Sequence, residues 1–334
     1  MKFLAFADLH YKTGMYASSV AMLEKILDRA AAEQVDFVIH LGDFSNDYKG
    51  SPEIVRAYLE NPHDLPVYGV YGNHELESAG NSVELVTPLL TNQPVQFGSS
   101  DGGYWYTDRD GFRLIGLDSN YSVSPEGVWE HNRTASHTSP KGNTKTDSLG
   151  PDQLVWLRQT LSDAAEKGLR VLVFAHASFS GLWKSSPDAD AVRSLYAEVN
   201  AAYPGTVILS VNGHYHTDRF AWRDGVAYWD VNTVQNGFWA PRDRYHYDDS
   251  HTCSFLDYDE NGSPRGEAQE IALNSLRQGR NTWFFTEPLS AVVTVEEDGS
   301  FRIDGSETEW MHGVLPDQPG EGTKNRIESR EGKR

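Results

Sequence analysis

The chain has one cysteine, few basic residues and no long apolar run, and each shortage excludes a class of protein. The single cysteine, Cys253, excludes an internal disulfide framework and a metal cluster held by several thiolates. The 29 lysines and arginines stand against 48 acidic residues, and the formal net charge of −19 argues against an extended surface for DNA or RNA. No apolar run approaches the roughly 20 residues that span a bilayer, and the apolar start, Phe3 to Ala7, is too short for a secretory signal. We therefore expect a cytoplasmic protein that binds neither membranes nor nucleic acid.

Most of the chain alternates predicted strands with predicted helices. Apolar strands are predicted at residues 2–7, 35–41, 66–71, 169–175 and 206–211, and amphipathic helices at residues 19–32, 52–59, 82–90, 151–167 and 188–202. Strand–helix–strand order of this kind favours a parallel sheet with helices on its faces. Between the two halves, residues 104–107 and 112–117 predict an antiparallel hairpin, and the polar stretch 118–150 predicts a long irregular loop with a binding role.

Side chains that bind metal ions follow five of the predicted strands, each at the point where the apolar run stops. The segments are Asp8-Leu9-His10, Gly42-Asp43, Gly72-Asn73-His74-Glu75, Ala175-His176, and Gly213-His214 with His216. Because ligands bind beyond the carboxyl ends of strands in open α/β sheets, segments far apart in the sequence can converge there. In an extended backbone, donors two residues apart, as in the first and last segments, point to the same side. Carboxylate, amide and imidazole donors without sulfur suit two ions of manganese, iron, zinc, cobalt or nickel.

The order Asp-x-His, Gly-Asp, Gly-Asn-His-Glu, His, Gly-His-x-His resembles the calcineurin-like metallophosphoesterases, a family that includes the purple acid phosphatases and many bacterial phosphodiesterases. The resemblance covers roughly residues 1 to 235. It implies an α/β fold, a four-layer α/β/β/α sandwich of two mixed sheets with a β-rich C-terminal portion. On this basis we assign residues 1–285 to the catalytic domain, 286–319 to a C-terminal β hairpin packed on it, and 320–334 to a mobile tail.

The resemblance also implies a role for each residue of the set. The first metal ion is expected to be held by Asp8, His10, Asp43 and His216, and the second by Asp43, Asn73, His176 and His214, with Asp43 bridging the two. His74 matches the family's catalytic histidine. The expected cofactors are two divalent or trivalent transition-metal ions, manganese, iron or zinc above all. The implied reaction is attack by a metal-bound hydroxide on the phosphorus, while His74 donates a proton to the leaving oxygen or stabilises phosphoryl charge.

One segment departs from the family's pattern. The protein phosphatases of the family carry Gly-Asp-x-x-Asp-Arg-Gly, in which the second aspartate orients the catalytic histidine. Here Asn46 occupies that position, Asp47 follows one residue later, and the arginine is missing. A dedicated protein phosphatase is therefore not expected, and the partner that orients His74 is left open.

Further side chains are candidates for substrate binding or for support of the metal ligands. They are Asn46, Asp47, Asn120, His131, His137, Phe238 and Trp239. Asn120 follows a predicted strand, where an ordinary turn is an equal alternative. His131 and His137 lie in the predicted long loop, where binding residues and plain surface residues both occur. Phe238 and Trp239 are equally consistent with the wall of a substrate pocket and with core packing.

The residues favour a hydrolase that cleaves a phosphoester of a small phosphorylated molecule, with a lean towards phosphodiesters. The alternative enzyme is a phosphomonoesterase of the acid-phosphatase type, and assays with bis-(p-nitrophenyl) phosphate and p-nitrophenyl phosphate separate the two. A third hypothesis is a non-catalytic scaffold of the same fold. Such a scaffold is expected to have lost ligands and above all the catalytic histidine, whereas every position is filled here. The physiological substrate and the oligomeric state are left open.

Overall fold

A computed structural model describes residues 1–11, 18–45, 52–76, 90–100, 102–132, 143–182, 185–234, 236–237, 247–256, 263, 265–276, 282–316 and 324–332. The α-helices in these ranges are α1 (Ser18–Ala32), α2 (Pro52–Leu59), α3 (Asn73–Leu76), α4 (Pro151–Glu166) and α5 (Ala189–Ala202). The strands are β1 (Lys2–Phe6), β2 (Phe37–His40), β3 (Val67–Gly69), β4 (Gln96–Phe97), β5 (Trp105–Arg109), β6 (Phe112–Gly116), β7 (Tyr121–Val123), β8 (Trp129–His131), β9 (Thr144–Ser148), β10 (Arg170–Ala175), β11 (Val207–Asn212), β12 (Arg219–Arg223), β13 (Val226–Asp230), β14 (Asn236–Gly237), β15 (Thr252–Phe255), β16 (Gln269–Ala272), β17 (Trp283–Phe284), β18 (Ala291–Val295), β19 (Phe301–Asp304) and β20 (Arg330–Gly332).

The first large sheet combines the beginning and the end of the chain. Its strand order is β20-β19-β18-β1-β2-β3. Strands β1, β2 and β3 are parallel to one another, whereas β18 pairs antiparallel with β1, and β19 and β20 continue that antiparallel side. The predicted hairpin near the C-terminus is therefore hydrogen-bonded into the sheet, directly beside the strand that leads to Asp8.

The second large sheet is built from the middle of the chain. Its strand order is β12-β13-β11-β10-β6-β5-β4, and β6, β10, β11 and β13 are parallel. The antiparallel pairs β5 with β6 and β12 with β13 close its two sides. Both sheets are thus mixed, with a parallel centre, and the carboxyl ends of the parallel strands carry the candidate ligands.

Strand β10 shows how the layers are held together. Successive side chains of a strand point to opposite faces, so its apolar run supplies two cores at once. Leu172 and Phe174 pack in the core that includes the first sheet, where the Phe174 ring lies 5.7 Å from the ring of Phe3. Val171 and Val173 pack on the other face, in the core that includes α4 and α5. An apolar run with no polar alternation is what burial on both faces requires.

Helices cover the outer faces of the two sheets. Leu23, Leu27 and Ala30 of α1 lie at helical spacing and are buried in the core of the first sheet. Leu157 and Leu161 of α4 do the same on the second sheet. The order of layers is helix, sheet, sheet, helix, which confirms the expected four-layer arrangement. Within the described ranges, no helix combines the length and apolar character that crossing a membrane requires.

The polar stretch 118–150 is not the irregular loop that its composition predicts. Its described residues form a three-stranded antiparallel sheet in the order β8-β7-β9. Tyr121 of the central strand pairs with His131 on one side and with Ser148 on the other. The strands escape prediction because β9 has the sequence TKTDS, which contains no apolar residue. Apart from Leu90, the helix predicted at residues 82–90 lies outside the described residues.

The C-terminal segment 324–332 packs against the body of the protein. Ile327 is buried, β20 pairs with β19, and Arg330 Nη2 lies 2.6 Å from Asp218 Oδ2. The sequence predicts a mobile tail from residue 320, because mixed charges without apolar periodicity are typical of solvated chain ends. The tail is held because Arg330 binds the buried carboxylate of Asp218. The sequence pattern cannot reveal this contact, because Asp218 lies more than a hundred residues earlier in the chain.

Candidate metal centre

The first group of donors consists of Asp8, His10 and His216, whose ligand atoms lie within 4.8 Å of one another. His10 Nε2 is 3.0 Å from His216 Nε2, and His216 Nε2 is 3.5 Å from Asp8 Oδ1. All three side chains are buried. The backbone N–H of His214 donates to both oxygens of Asp8, at 3.1 and 3.0 Å, and so ties the His214–His216 segment to the end of β1.

The second group consists of Asp43, His176 and His214, again with ligand atoms within 4.8 Å of one another. His176 Nε2 lies 3.2 Å from Asp43 Oδ2 and 3.0 Å from His214 Nδ1. The other ring nitrogen of His176, Nδ1, donates to the carbonyl of Leu41 at 2.7 Å. A backbone carbonyl in this place fixes the tautomer and orientation of a histidine, so Nε2 of His176 faces the donor group.

Asp43 belongs to the second group and also approaches the first. Its Oδ2 is 3.2 Å from His176 Nε2 in the second group and 3.7 Å from His10 Nε2 in the first. One carboxylate oxygen therefore approaches histidines of both groups. This is the position that the sequence predicts for a bridging ligand.

Asn73 and His74 are the first residues of α3, and both adjoin Asp43. The backbone N–H of His74 donates to Asp43 Oδ1 at 2.9 Å, and its Nε2 is 3.9 Å from Asp43 Oδ2. The His74 ring packs edge-on against His10 with centroids 4.8 Å apart, and its side chain is 15% exposed. Asn73 stands between His74 and Gly72, whose backbone also closely approaches Asp43. The structure thus places His74 at the open side of the first group and Asn73 beside the bridging position.

Most of the predicted ligands have a left-handed backbone. The φ angle is 57° at Asp8, 52° at His10, 48° at Asp43, 74° at His214 and 49° at His216. The expectation that Asp8 and His10, or His214 and His216, converge along an extended backbone is therefore wrong. A non-glycine residue in this region costs about 1–3 kcal/mol and persists only where its surroundings over-determine it. The donors converge because the loops are strained into place.

Glu75 is a supporting residue whose role the sequence does not reveal. Its buried carboxylate accepts the backbone N–H of Gly72 at 2.6 Å and of Asp43 at 3.0 Å through Oε2, and of Ser45 at 2.9 Å through Oε1. These contacts join the loop after β2 to the loop after β3. The only signal in the sequence is its place directly after the Asn-His pair.

Two glycines allow the loops to approach one another. A Cβ atom on Gly72 would lie 2.2 Å from Asp43 Oδ1, and one on Gly42 would lie 2.6 Å from His176 Nδ1. Real Cβ atoms do not approach other atoms so closely, and Gly42 also has a φ of 84°. Glycine at these positions is therefore required by the close approach of the loops.

The carboxylates and histidines shift one another's pKa values. At His176, burial opposes the charge, but the Asp43 carboxylate outweighs it and raises the pKa to about 10. Burial and the neighbouring His176 lower the pKa of His214 to about 3. Burial also raises the pKa of Asp8, whereas at Asp43 it is outweighed by His176 and His74, which hold that pKa well below its ordinary range. The centre is therefore organised around an anionic Asp43 that attracts cations.

The donor set fits two metal ions. Carboxylate oxygens and imidazole nitrogens converge in the two groups described above and in a third, His10, Asp43 and His74, which connects them; Cys253 belongs to none of the three. Two divalent ions bring +4 and the carboxylates of Asp8 and Asp43 bring −2, so the loaded site would stay cationic inside an acidic protein. Hard and borderline donors of this kind suit manganese, iron and zinc.

The structure brings two of the other candidates to the edge of the centre. Asn120 Nδ2 donates to the carbonyl of Tyr71 at 3.4 Å, and His131 Nε2 donates to Asp118 Oδ2 at 2.6 Å. Asp118 is a partner that sequence reasoning did not assign. The other candidates, Asn46, Asp47, His137, Phe238 and Trp239, lie outside the described residues.

Comparisons with known proteins give a consistent result. The family model described as calcineurin-like phosphoesterase matches residues 1–218. The chain is 24% identical over 212 residues to a sphingomyelinase phosphodiesterase C from Dictyostelium discoideum, which covers 56% of this chain and 44% of that protein. It is 23% identical over 219 residues to a manganese-dependent ADP-ribose/CDP-alcohol diphosphatase from Oryza sativa subsp. japonica, which covers 57% of this chain and 68% of that protein. In fold it is similar to a dimetal phosphatase from Danio rerio, with a TM-score of 0.56, 15% sequence identity, and coverage of 93% of this chain and 98% of that chain.

The family match has more weight than the individual relatives. The matched part spans less than half the length of the Dictyostelium protein, and the Danio structure, at 15% identity, is a likeness of fold alone. The family model, in contrast, covers well over half of the chain and includes every residue from Asp8 to His216 that the structure brings together. The chain belongs to the calcineurin-like phosphoesterase family.

Proposed function

We propose that the protein is a metal-dependent phosphoric ester hydrolase that cleaves a phosphodiester or diphosphate bond in a small molecule. The observation that carries this proposal is the position of Asp43, one carboxylate oxygen of which approaches histidines of both donor groups. The names of the relatives support the diester over the monoester, since one is a phosphodiesterase and another a diphosphatase of ADP-ribose and CDP-alcohols.

The residues of the centre divide between two metal ions. We assign Asp8, His10, His216 and Asp43 to one ion, and Asp43, Asn73, His176 and His214 to the other. Manganese is the metal we propose, because the donors suit it and because the rice relative is named as manganese-dependent. When bound, two such ions lower the pKa of a water molecule and orient phosphoryl oxygens.

His74 is the residue we propose as proton donor. Its backbone is held by Asp43, its ring packs against His10, and part of the ring is open to solvent. An imidazole in this position can donate a proton to the oxygen that leaves phosphorus, and a group that does so contributes roughly 10²–10⁴-fold to the rate. Asn46 and Asp47, which stand where the family's protein phosphatases carry the orienting aspartate, lie outside the described residues, so the contact with Asp43 is the support on which this role rests.

Replacement of His74 by alanine tests the proposal. In protein loaded with Mn²⁺, we expect His74→Ala to keep its metal content and to lose roughly 10²–10⁴-fold in turnover of an alkyl phosphodiester. His63→Ala is the matched control, because His63 is a surface histidine paired with Asp28 at 2.7 Å. Turnover equal to that of the wild type would refute the role of His74.

Two assays separate the remaining possibilities. Faster hydrolysis of p-nitrophenyl phosphate than of bis-(p-nitrophenyl) phosphate would indicate a monoesterase of the acid-phosphatase type and contradict the preference for diesters. Bound metal without hydrolysis of either compound would indicate a non-catalytic scaffold and contradict the whole proposal.

A further inference from the structure

The three-stranded sheet of β7, β8 and β9 presents a row of rings beside the metal centre. Tyr121 pairs directly with His131, and Val123 pairs directly with Trp129. Opposite residues of an antiparallel pair lie on the same face, and residues two apart along a strand share a face. Tyr121, Trp129 and His131 therefore lie on one face; Tyr121 and Trp129 are half-buried, and the His131 side chain is 10% exposed. We call this surface the aromatic face.

Asp118 connects the aromatic face to the metal centre. Strands β6 and β10 are parallel and Gly116 pairs with Phe174, so Asp118 and His176 each lie two residues beyond the same pair of strand residues. The Asp118 side chain is fully buried, and its Oδ2 accepts a hydrogen bond from His131 Nε2 at 2.6 Å. The His131 ring is also packed against Tyr121, with centroids 4.7 Å apart. The imidazole is thus held on one edge by a carboxylate and on its flank by a ring.

The segment that carries Asp118 is itself held firmly. The buried Gln153 accepts the N–H of Asp118 at 2.9 Å and donates to its carbonyl at 2.7 Å. Ser119 Oγ accepts the N–H of Ala177 at 3.2 Å, and Asn120 contacts the carbonyl of Tyr71 at 3.4 Å. Ala177 follows the ligand His176, and Tyr71 precedes the Gly72–Asn73 segment. The segment that leads into the aromatic face is therefore hydrogen-bonded to both neighbouring loops.

The chemistry of this face fits a planar aromatic ring attached to an anion. Bases stack on aromatic side chains without regard to their sequence, because every base has a π-face. Lys145 Nζ lies 5.8 Å above the Trp129 ring, which adds a positive charge on an otherwise acidic protein. A nucleotide would use both properties, with its phosphate at the metal centre and its base on the rings.

We propose that the aromatic face binds the nucleoside part of the substrate, with Asp118 as the positioning residue of His131. The proposal rests on the proposed function and narrows the substrate class to nucleotide phosphodiesters or diphosphates. The alternative is that the Asp118–His131 pair only ties β8 to the end of β6, which would change stability and would affect every substrate equally.

The test compares two esters with the same leaving group. Methyl 4-nitrophenyl phosphate and thymidine 5′-(4-nitrophenyl phosphate) both release 4-nitrophenol, and only the second carries a nucleoside. In Mn²⁺-loaded wild-type protein, we expect kcat/KM for the thymidine ester to exceed that for the methyl ester by about tenfold or more. Tyr121→Ala, Trp129→Ala and His131→Gln should each lower this ratio several-fold, mainly through KM. Tyr121→Phe, which keeps the ring, should retain the ratio.

His63→Gln is the matched control, because it removes an exposed imidazole that is paired with an aspartate of α1, Asp28, and not with Asp118. It should leave both rates and the ratio unchanged. Asp118→Asn should lower the ratio in the same direction as His131→Gln, since both disturb the same imidazole. A wild-type ratio near one, or an equal loss on both esters in the ring variants, would overturn the inference and leave the hydrolase proposal standing. If neither ester releases 4-nitrophenol, the proposed function fails as well.

Discussion

Replacement of Glu75 by glutamine tests whether one buried carboxylate holds the loops after β2 and β3 together. Glu75 accepts three backbone N–H groups, from Gly72, Asp43 and Ser45, at 2.6–3.0 Å. Glutamine has nearly the same shape, but its amide nitrogen is a donor and cannot accept a hydrogen bond. In the better of its two orientations, the amide oxygen faces Gly72 and Asp43, and the NH₂ group faces the N–H of Ser45. At least one buried N–H therefore loses its acceptor.

The expected magnitude follows from that contact. A buried N–H that loses its partner costs about 1–3 kcal/mol, and hydrogen bonds to a charged acceptor are worth about 1.5–3 kcal/mol. We therefore expect Glu75→Gln to lower the free energy of unfolding by about 2–4 kcal/mol. The N–H groups of Gly72 and Asp43 lie in the loops that carry the candidate ligands Asn73 and Asp43. We therefore also expect weaker binding of Mn²⁺.

The assay is urea unfolding of metal-free protein, followed by calorimetric titration with Mn²⁺. Burial and the Asp43 carboxylate raise the pKa of Glu75 to about 7, so the measurement belongs at about pH 8, where the wild-type group is ionised. Glu24→Gln, at an exposed position of α1, is the control for the loss of one negative charge. If Glu75→Gln unfolds within about 0.5 kcal/mol of the wild type and binds Mn²⁺ equally well, the reasoning is refuted.

Two further predictions concern buried carboxylates outside the centre. Arg330 donates to both oxygens of the buried Asp218, at 2.9 and 2.6 Å, so Arg330→Ala should lower the free energy of unfolding by about 2–4 kcal/mol. In the same urea titration the exposed Arg302→Ala should cost less than about 1 kcal/mol, and equal losses would contradict a role for the C-terminal segment. Burial raises the pKa of Asp230 from 3.8 to about 7, so the folded state keeps a proton that the unfolded chain releases, and stability falls as the pH rises through this range. Between about pH 4 and pH 8 the wild type should lose on the order of 2–4 kcal/mol of its free energy of unfolding through this group, and Asp230→Asn should not show that loss. A variant that keeps the wild-type pH dependence would contradict the raised pKa of Asp230.

The parallel strands and the strand ends that carry the candidate ligands could be predicted because both depend on local patterns. The run RVLVFA predicts a buried strand, and β10 extends over Arg170–Ala175, with His176 directly after it. Strands β11 and β1 likewise end just before candidate ligands, with His214 and Asp8 each two residues after the last strand residue. That the ligands meet follows from the rule that parallel strands present their carboxyl ends at one edge. The division of the strands between two sheets came from the family resemblance, since no local pattern shows which strands become neighbours.

The parts that could not be predicted depend on contacts between distant polar residues. The three-stranded sheet of β7, β8 and β9 has little apolar alternation, and its position is set by Asp118 and His131, which are 13 residues apart. The contact of Arg330 with Asp218 spans 112 residues. A polar side chain in a sequence carries no sign of the partner that will satisfy it, so these features become visible only in the fold.

The left-handed ligands show why the centre needs these supporting contacts. Glycine would adopt such a backbone without strain, but it has no side chain with which to bind a metal ion. The chain instead puts glycine next to the ligands, as in Gly42-Asp43 and Gly213-His214, and keeps Asp or His at the donor position itself.

In each sheet, the loops that carry the residues with a left-handed backbone are held by hydrogen bonds to the loop after the neighbouring strand. Asp8 donates its N–H to the carbonyl of Gly42 at 3.1 Å, and His10 donates to the carbonyl of Asp43 at 2.8 Å, so the loops after β1 and β2 brace one another. Gly213 donates to the carbonyl of His176 at 3.1 Å and joins the corresponding loops of the second sheet. These bonds join backbone groups of neighbouring loops, and none of them is made through a donor side chain. The fold itself therefore contributes to the positions of the donors, which is the kind of preorganisation that lowers the cost of binding.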